Sequence, residues 1–225
     1  MDPEIQKLLF SFFGDFKLRS FSKEKTILKP DADKIFFLTK GVVRMLSASR
    51  EKDEITINIY KPYSLFPIFL IFDLENKYTF DSLTDVEGYI APKEDLKVFV
   101  KKNPIVLFDL VKRIYKGFDG FFTQIEALLL GDGYSRVITS LIVYTRRFGK
   151  KDQGTITFDW HLTHRQIASQ TGLARESVTR EIKKLLNKGL IGYSGKKLFV
   201  NDLNKLEEEY HAYLGMIRKL PLDKH

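Results

Sequence analysis

The first hundred residues alternate between short apolar stretches and polar turns. Residues 3–13 have the spacing of a short amphipathic helix, and the chain from about Phe16 to Lys97 is rich in β-branched and aromatic residues. Segments such as KIFFLTKGVVRMLSAS and DEITINIYKPYSLFPI predict several short strands, as in a β-barrel, sandwich or roll. Gly41 lies between two apolar segments, where a tight turn favours glycine.

A long apolar helix is predicted to begin at Asn103-Pro104. Its apolar positions alternate by four and three residues over three heptads, which is the pattern of a helix that pairs lengthwise with a partner. These positions are Leu107, Val111, Ile114, Phe118, Phe121, Ile125 and Leu128. The alternation favours a homodimer interface over the alternative, in which the helix packs against its own β domain.

The sequence GDGYSR, from Gly131 to Arg136, interrupts the helical pattern and marks a domain boundary. Beyond it the pattern predicts a helix, a polar loop GKKDQG, a strand TITFDW, two short helices, a hairpin and a last helix. The four helices are predicted over about 135–148, 164–170, 175–189 and 201–213, and Ser194-Gly195 forms the tip of the hairpin.

Composition allows a large core and excludes several chemistries. Hydrophobic residues make up 44% of the chain, and no apolar run approaches the 20 residues of a membrane span. The acidic N-terminus lacks the basic region of a signal peptide, so a cytoplasmic protein is expected. The chain has no cysteine, which excludes disulfides, thiolate zinc sites and iron–sulfur clusters.

Positive charge is concentrated in one segment. Residues 134–200 hold 13 of the 37 Lys and Arg residues but only four of the 29 Asp and Glu residues, a net charge of +9. The rest of the chain is close to neutral, at −1. Segregation of this kind favours a polyanion-binding domain joined to a neutral one. The alternative is a chance cluster of solvated lysines.

The segment Thr163–Ile191 predicts two short helices around a glycine turn. Thr163 is the expected N-cap of the first helix, and Gly172 lies at the turn, where positive φ is needed. In the second helix the apolar residues recur at spacings of four and three, while a basic stripe faces away from them. A basic second helix followed by a two-stranded wing describes a winged helix-turn-helix.

Contacts with base edges explain the mixed charges of the second helix. Arginine can donate two parallel hydrogen bonds to guanine, and a glutamate can accept one from cytosine, so Arg175, Glu176 and Arg180 are predicted base readers. An alternative for Glu176 alone is a favourable charge in the first helical turn. The predicted phosphate contacts are Thr163, His164, Arg165, Ser177, Thr179, Lys183, Lys184, Lys196 and Lys197.

The string LTHRQIASQTGLARESVTREIKKLLNKGLI resembles the helix-turn-helix of the CRP/FNR family of bacterial transcription regulators. The similarity covers nearly the whole chain in the family's order, with a weaker match in the β region at FFLTKGVVRML. The resemblance implies a homodimer that reads a palindromic TGTGA-type site with Arg175, Glu176 and Arg180, and that activates or represses RNA polymerase. Ala174 departs from the family, which often has a capping, phosphate-contacting serine there.

The resemblance also implies a fold class and a domain order. The expected fold is α+β, with an N-terminal β-roll like a cupin or cyclic-nucleotide-binding domain, a long dimerisation helix and a C-terminal winged helix-turn-helix. The expected bounds are 1–103 for the β-roll sensor domain, 104–131 for the dimerisation helix and 132–225 for the DNA-binding domain.

The effector is expected to differ from the family's cyclic nucleotide. At the positions of the Gly-Glu and Arg-Ser pairs of cyclic-AMP-binding relatives the chain has Pro67-Ile68 and Tyr78-Thr79, which would leave a phosphate unpaired. Haem is also disfavoured, because no histidine lies in the sensor domain. Two interpretations remain open: an apolar effector pocket, or aromatic residues that fill the core. The residues concerned are Phe66, Phe69, Phe72, Phe80, Phe121 and Phe122.

No enzyme signature accompanies this pattern. The chain lacks a G-x-G-x-x-G motif, a G-K-[ST] loop and an H-E-x-x-H motif. His161 and His164 have no acid or thiol to complete a metal site. The sequence therefore predicts a regulator with no cofactor, catalytic residue or metal; the alternative is an enzyme or ligand-binding dimer with a DNA-binding appendage.

Overall fold

A computed structural model of the chain describes residues 1–47 and 55–219. Residues 48–54 and 220–225 lie outside the described residues; they include the ends of two predicted strand segments and the end of the predicted DNA-binding domain. The chain divides into two compact units, Met1–Lys116 and Gly117–His225.

The first unit contains two four-stranded antiparallel sheets. The strands are β1 (Leu18–Phe21), β2 (Thr26–Leu28), β3 (Lys34–Lys40), β4 (Val43–Ser47), β5 (Ile55–Tyr60), β6 (Leu65–Phe66), β7 (Tyr78–Ser82) and β8 (Val86–Pro92). One sheet has the order β1-β8-β3-β6, and the other has the order β2-β7-β4-β5. The predicted set of short strands is therefore present as a two-sheet β-roll.

Stacked aromatic rings link the two sheets. Phe36 and Phe66 come from the first sheet and Phe80 from the second, and all three side chains are fully buried. The ring centroid of Phe66 lies 5.4 Å from that of Phe36 and 5.0 Å from that of Phe80. Rings in this offset geometry contribute packing energy beyond the area they bury, so they hold the sheets together.

Gly41 carries the chain from one sheet to the other. Its φ is +90°, and a Cβ at this position would lie 2.3 Å from the carbonyl oxygen of Asp85. The glycine predicted from the sequence is therefore required both by backbone conformation and by space. The strands on either side do not form a hairpin, because β3 pairs with β6 and β8 while β4 pairs with β5 and β7.

Helices cover the first sheet. Helix α1 (Pro3–Phe13) begins at Asp2, whose carboxylate accepts a hydrogen bond from the Glu4 amide, and it buries Ile5, Leu9 and Phe13 as its spacing predicts. A 3-10 helix (Ile68–Phe72) and helix α2 (Lys93–Lys102) pack in the same region. Helix α3 (Pro104–Leu130) follows and runs for 27 residues.

The second unit surrounds a buried helix. Helix α4 (Gly133–Phe148) begins at Asp132 and is buried from Tyr134 to Thr145, apart from Arg136. A small antiparallel sheet contains β9 (Lys150–Asp152), β10 (Thr155–Thr157), β11 (Ile191–Ser194) and β12 (Lys197–Val200), in the order β11-β12-β10-β9. Helices α5 (His164–Thr171), α6 (Arg175–Asn187) and α7 (Leu203–Lys219) complete the unit.

One strand of this sheet was not predicted. The polar segment KKD forms β9, which pairs with β10 across a turn in which Gln153 and Gly154 both have positive φ. All three residues of β9 are exposed, so the strand buries no apolar side chain that a hydrophobic pattern could reveal. Its backbone pairing with β10 defines it.

Candidate nucleic-acid interface

Helix α5 and the following turn are fixed by local chemistry. The Thr163 hydroxyl accepts a hydrogen bond from the Gln166 amide, and the Gln166 side chain accepts one from the Thr163 amide, which together form a capping box. Gly172 ends α5 with φ +65°, as its place in the turn predicts. The start and the end of α5 are thus set by Thr163 and Gly172, which the sequence already identifies.

Helix α6 has one buried face and one exposed face. Val178, Ile182 and Leu185 are buried at the predicted spacing. The predicted base readers Arg175, Glu176 and Arg180 lie together on the exposed face, with Thr179 and Lys183. Ala174 is the N-cap residue and offers no side-chain acceptor to the helix. The basic stripe is therefore accessible to a large ligand along the length of the helix.

A buried carboxylate contacts two basic side chains of α6. Glu181 is buried, and its carboxylate lies 3.0 Å from Nε of Arg180 and 2.5 Å from Nζ of Lys184. The side chains of Arg180 and Lys184 are 69% and 52% exposed, so their charges stay at the surface while Glu181 anchors them. The sequence prediction missed Glu181; its only signal is its position three residues after Val178, at the edge of the buried face.

His164 joins three elements of this surface. Its Nδ1 lies 2.8 Å from the hydroxyl of Thr179 on α6, and its Nε2 lies 2.9 Å from the hydroxyl of Tyr193 on β11. Burial lowers the pKa of His164, and the charges of Arg175 and His161 lower it further. Tyr193 was not among the predicted site residues, and its position in the hairpin gave no sign that it would contact His164.

Four further predicted phosphate contacts lie on α5, on α6 and in the hairpin of β11 and β12. Arg165 on α5 is exposed, and Ser177 on α6 is half-buried. The hairpin of β11 and β12 turns at Gly195, whose φ is +59°, and it leaves Lys196 and Lys197 exposed. The structure therefore brings two helices and a hairpin, each with exposed basic groups, into one unit.

A second polar cluster lies behind α6. Tyr213 on α7 donates a 2.6 Å hydrogen bond to Asp132, and Tyr134 donates a 2.8 Å bond to Glu209. Burial alone raises the pKa of Asp132, but the bonds from Tyr213 and Ser135 outweigh it and hold this pKa below its usual range. Burial, followed by the bond to Asp132, raises the pKa of Tyr213 to about 12. These bonds join the start of α4 to the C-terminal helix.

The aromatic residues considered for an effector pocket are dispersed. Phe66 and Phe80 stack within the core of the β-roll. Phe69 is partly buried and packs with a different core cluster, and Phe72 is exposed. Phe121 and Phe122 belong to the second unit and are exposed on α3. Of the predicted set, the structure brings together only Phe66 and Phe80 in the β-roll, and the adjacent pair on α3.

Helix α3 exposes the apolar face predicted for dimerisation. Val111, Ile114, Phe118, Phe121 and Leu128 are exposed in the single chain, and Leu107 and Ile125 are half-buried. A further heptad-spaced row, which the sequence prediction missed, is more exposed still, at 62–77%: Phe108, Tyr115, Phe122 and Leu129. An exposed apolar face of this length is typical of a protein–protein interface.

Within residues 1–47 and 55–219, no three His, Asp or Glu side chains are grouped as a metal site would require. His225, one of the four histidines, lies outside those ranges. No helix in the described part of the chain is long and apolar enough to cross a membrane.

Comparison with known proteins agrees with this geometry. The family model described as a Crp-like helix-turn-helix domain matches residues 135–209. The global nitrogen regulator of Nostoc sp. is 28% identical over 198 residues, which cover 86% of this chain and 89% of the relative. The transcriptional regulator SdrP of Thermus thermophilus is 25% identical, covering 84% of this chain and 92% of the relative.

Solved structures match over the same length. A CRP/FNR-family transcriptional regulator from Thermus thermophilus has a TM-score of 0.70 at 24% identity, covering 87% of this chain and 98% of its own. A CooA mutant from Carboxydothermus hydrogenoformans has a TM-score of 0.73 at 20% identity, covering 89% and 90%. These matches confirm the predicted α+β fold, with an N-terminal β region, a long helix and a C-terminal helix-turn-helix domain.

A β-roll, a long helix and a basic helix-turn-helix define a DNA-binding protein of the regulator class. The family model and the relatives named above indicate which regulators the chain resembles. Residues 135–209 carry a Crp-like helix-turn-helix domain, and over most of its length the chain is similar to transcription regulators of the CRP/FNR family. These relatives and structural neighbours are transcription regulators rather than enzymes.

Proposed function

We propose that the protein acts in the cytoplasm as a homodimer, binds a palindromic TGTGA-like DNA site and regulates RNA polymerase there. The observation that carries this proposal is the amphipathic character of helix α6. The helix buries Val178 and Ile182 on one face. It exposes the predicted base readers Arg175, Glu176 and Arg180 on the other. Two copies of α6 related by a dimer axis enter successive major grooves, which lie about 34 Å apart. Lys183 contacts phosphates beside the groove, as do Lys196 and Lys197 in the β11–β12 hairpin, which is the wing.

The dimer is supported by the surface of α3. Apolar side chains repeat by fours and threes on one face of this helix and remain exposed or half-buried in the single chain. A second copy of the same face would remove them from water. Because a twofold interface is self-complementary, one helix face is sufficient to build it.

The proposed regulator does not respond to cyclic AMP and has no catalytic activity, metal, iron–sulfur cluster or haem. Pro67 and Ile68 stand at the end of β6 and the start of the 3-10 helix, where the family resemblance expects a Gly-Glu pair. The adjacent Phe66 stacks on Phe80 in the core. These rings favour an aromatic core over a pocket for an apolar effector, so the free protein is proposed to be competent for DNA.

Selection of bound fragments from a random DNA pool tests this function directly. The purified protein, without added ligand, should recover a palindrome with two TGTGA-like halves, and added cyclic AMP should leave its affinity unchanged. Arg180→Ala should cost about 1–3 kcal/mol on that site and relax the preference at one base pair, because the substitution removes a bidentate hydrogen bond to a base.

Lys183→Ala is the matched control for this experiment. It removes an exposed cation from the same helix face and should weaken binding about equally on all sequences, because phosphates carry no sequence information. Recovery of unrelated sequences by the unmodified protein would contradict the proposed function. An Arg180 variant that loses affinity equally on every sequence would contradict its role as a base reader.

A further inference from the structure

The ring of His164 occupies the junction of the recognition helix and the wing. His164 is the first residue of α5, Thr179 lies in the middle of α6, and Tyr193 lies on β11, close to the hairpin tip. The two ring nitrogens contact the two hydroxyls at 2.8 and 2.9 Å, which is hydrogen-bond distance for both. A single imidazole therefore spans the gap between two DNA-facing elements.

The hydrogen bonds around the ring have a consistent direction. The Thr179 hydroxyl donates to the carbonyl oxygen of Arg175 at 2.9 Å, so its oxygen accepts from Nδ1–H of His164. Nε2 of the neutral ring then accepts from the hydroxyl of Tyr193. The chain of donors runs from the wing through His164 into the first turn of α6, next to the backbone of a predicted base reader.

We propose that His164 is a positioning residue that fixes the wing relative to the recognition helix, so that Lys196 and Lys197 meet phosphates while α6 lies in the groove. The inference rests on the proposed function and assigns His164 a role other than a direct phosphate contact. Both ring nitrogens are engaged within the protein, which leaves neither of them to donate to DNA. Tyr193 transmits the position because only two residues separate it from Lys196.

The test uses the salt dependence of DNA binding, measured on the selected site. The slope of log affinity against log salt changes by about 0.9 for each phosphate that the protein no longer neutralises. A variant with Lys196→Ala and Lys197→Ala defines the slope of a protein whose wing meets no phosphates. Tyr193→Phe removes one hydroxyl and keeps the ring, and it should move the slope most of the way toward this reference while leaving base preferences unchanged.

Amide substitutions of His164 separate the two halves of the bridge. An asparagine amide occupies the place of Nδ1, and a glutamine amide reaches the place of Nε2. His164→Gln should therefore retain more of the normal slope than His164→Asn when Tyr193 is present and lose this advantage in the Tyr193→Phe background, whereas His164→Asn should resemble Tyr193→Phe. His161→Asn, which removes a neighbouring exposed imidazole, is the matched control and should keep the normal slope.

The outcomes distinguish this inference from the proposed function. If the unmodified protein selects no specific site, the proposed function fails. If it selects a site but Tyr193→Phe and His164→Asn keep the normal slope, only the positioning role fails. An unchanged slope in the double lysine variant would also overturn the positioning role, because the wing would then have no phosphates to meet. Urea unfolding midpoints identify any variant that has lost its fold.

Discussion

At the scale of single residues, Glu181 controls which donors Arg180 can offer. The guanidinium has five N–H donors, and the contact with the buried carboxylate uses its Nε side. In the proposed contact with guanine, which requires two parallel donors, the two terminal Nη groups would supply them while Nε stays on Glu181. The arginine is thus oriented before DNA arrives, which reduces the side-chain entropy that binding must remove.

The pH dependence of stability gives a residue-scale prediction for His164. Burial, with Arg175 and His161, lowers the pKa of this histidine in the folded state, so the unfolded chain binds the proton more readily. The free energy of unfolding therefore falls as the pH drops through the unfolded value of about 6.5. Above that value both states hold a neutral ring, and the histidine adds no pH dependence.

Comparison with His164→Asn isolates this contribution. The other titrating groups are common to both proteins, so their effects largely cancel in the difference between the two unfolding free energies. The stability advantage of the natural protein over the variant should shrink between about pH 7.5 and about pH 5, on either side of the unfolded pKa, as measured by urea unfolding. A difference that stays constant or grows on acidification would show that the folded state does not disfavour the charged ring.

At the scale of elements, the two helices of the DNA-binding motif differ in how their N-termini are capped. Helix α5 has a complete capping box at Thr163, whereas α6 begins at Ala174 without a side-chain acceptor. The backbone of Ala174 is nevertheless extended, with φ −64° and ψ 146°, which is the conformation of an N-cap residue. The chain thus has the geometry for a cap on α6 but lacks the oxygen.

Ala174→Ser should therefore stabilise the second unit by about 1 kcal/mol, because the hydroxyl satisfies an amide of the first turn of α6. Thr163→Ala should destabilise it by about the same amount, and Thr163→Ser, which keeps an oxygen, should change little. Urea unfolding measures all three. A serine at position 174 that leaves the unfolding free energy unchanged would mean that the free amides of α6 are already well satisfied by water.

Elements with apolar periodicity or local capping residues were predictable, whereas a strand without apolar side chains and polar contacts between distant residues were not. The spacing of Val178, Ile182 and Leu185 predicted both the bounds and the buried face of α6 to within two residues. In contrast, β9 buries nothing, and the side-chain contact of Tyr193 joins residues far apart in sequence. The exposed row that includes Phe108 and Tyr115 was missed because a strict heptad pattern assigns only one line of positions along the helix to an interface.

At the scale of the whole molecule, α3 divides its apolar residues between two tasks. Val106 and Leu110 are buried in the first unit and Ala127 in the second, while the predicted seam remains exposed or only half-buried. A helix that packs only within its own chain needs the buried apolar residues but not the exposed seam. The extra apolar face, widened by residues such as Phe122, is broad enough for close packing against another α3.

Ile114→Asp tests this face because it puts a carboxylate at the middle of the seam. In a dimer the two copies of the charge would be desolvated near the twofold axis, which costs several kcal/mol per ion. The variant should sediment as a monomer at concentrations where the natural protein is a dimer, and it should lose affinity for the palindromic site. Lys116→Asp is the control: it changes an exposed residue two positions away, on the opposite side of the helix and away from both apolar rows, and should leave the dimer intact. A dimer mass for Ile114→Asp would mean that the seam is not the interface, and the exposed apolar face of α3 would then need another partner.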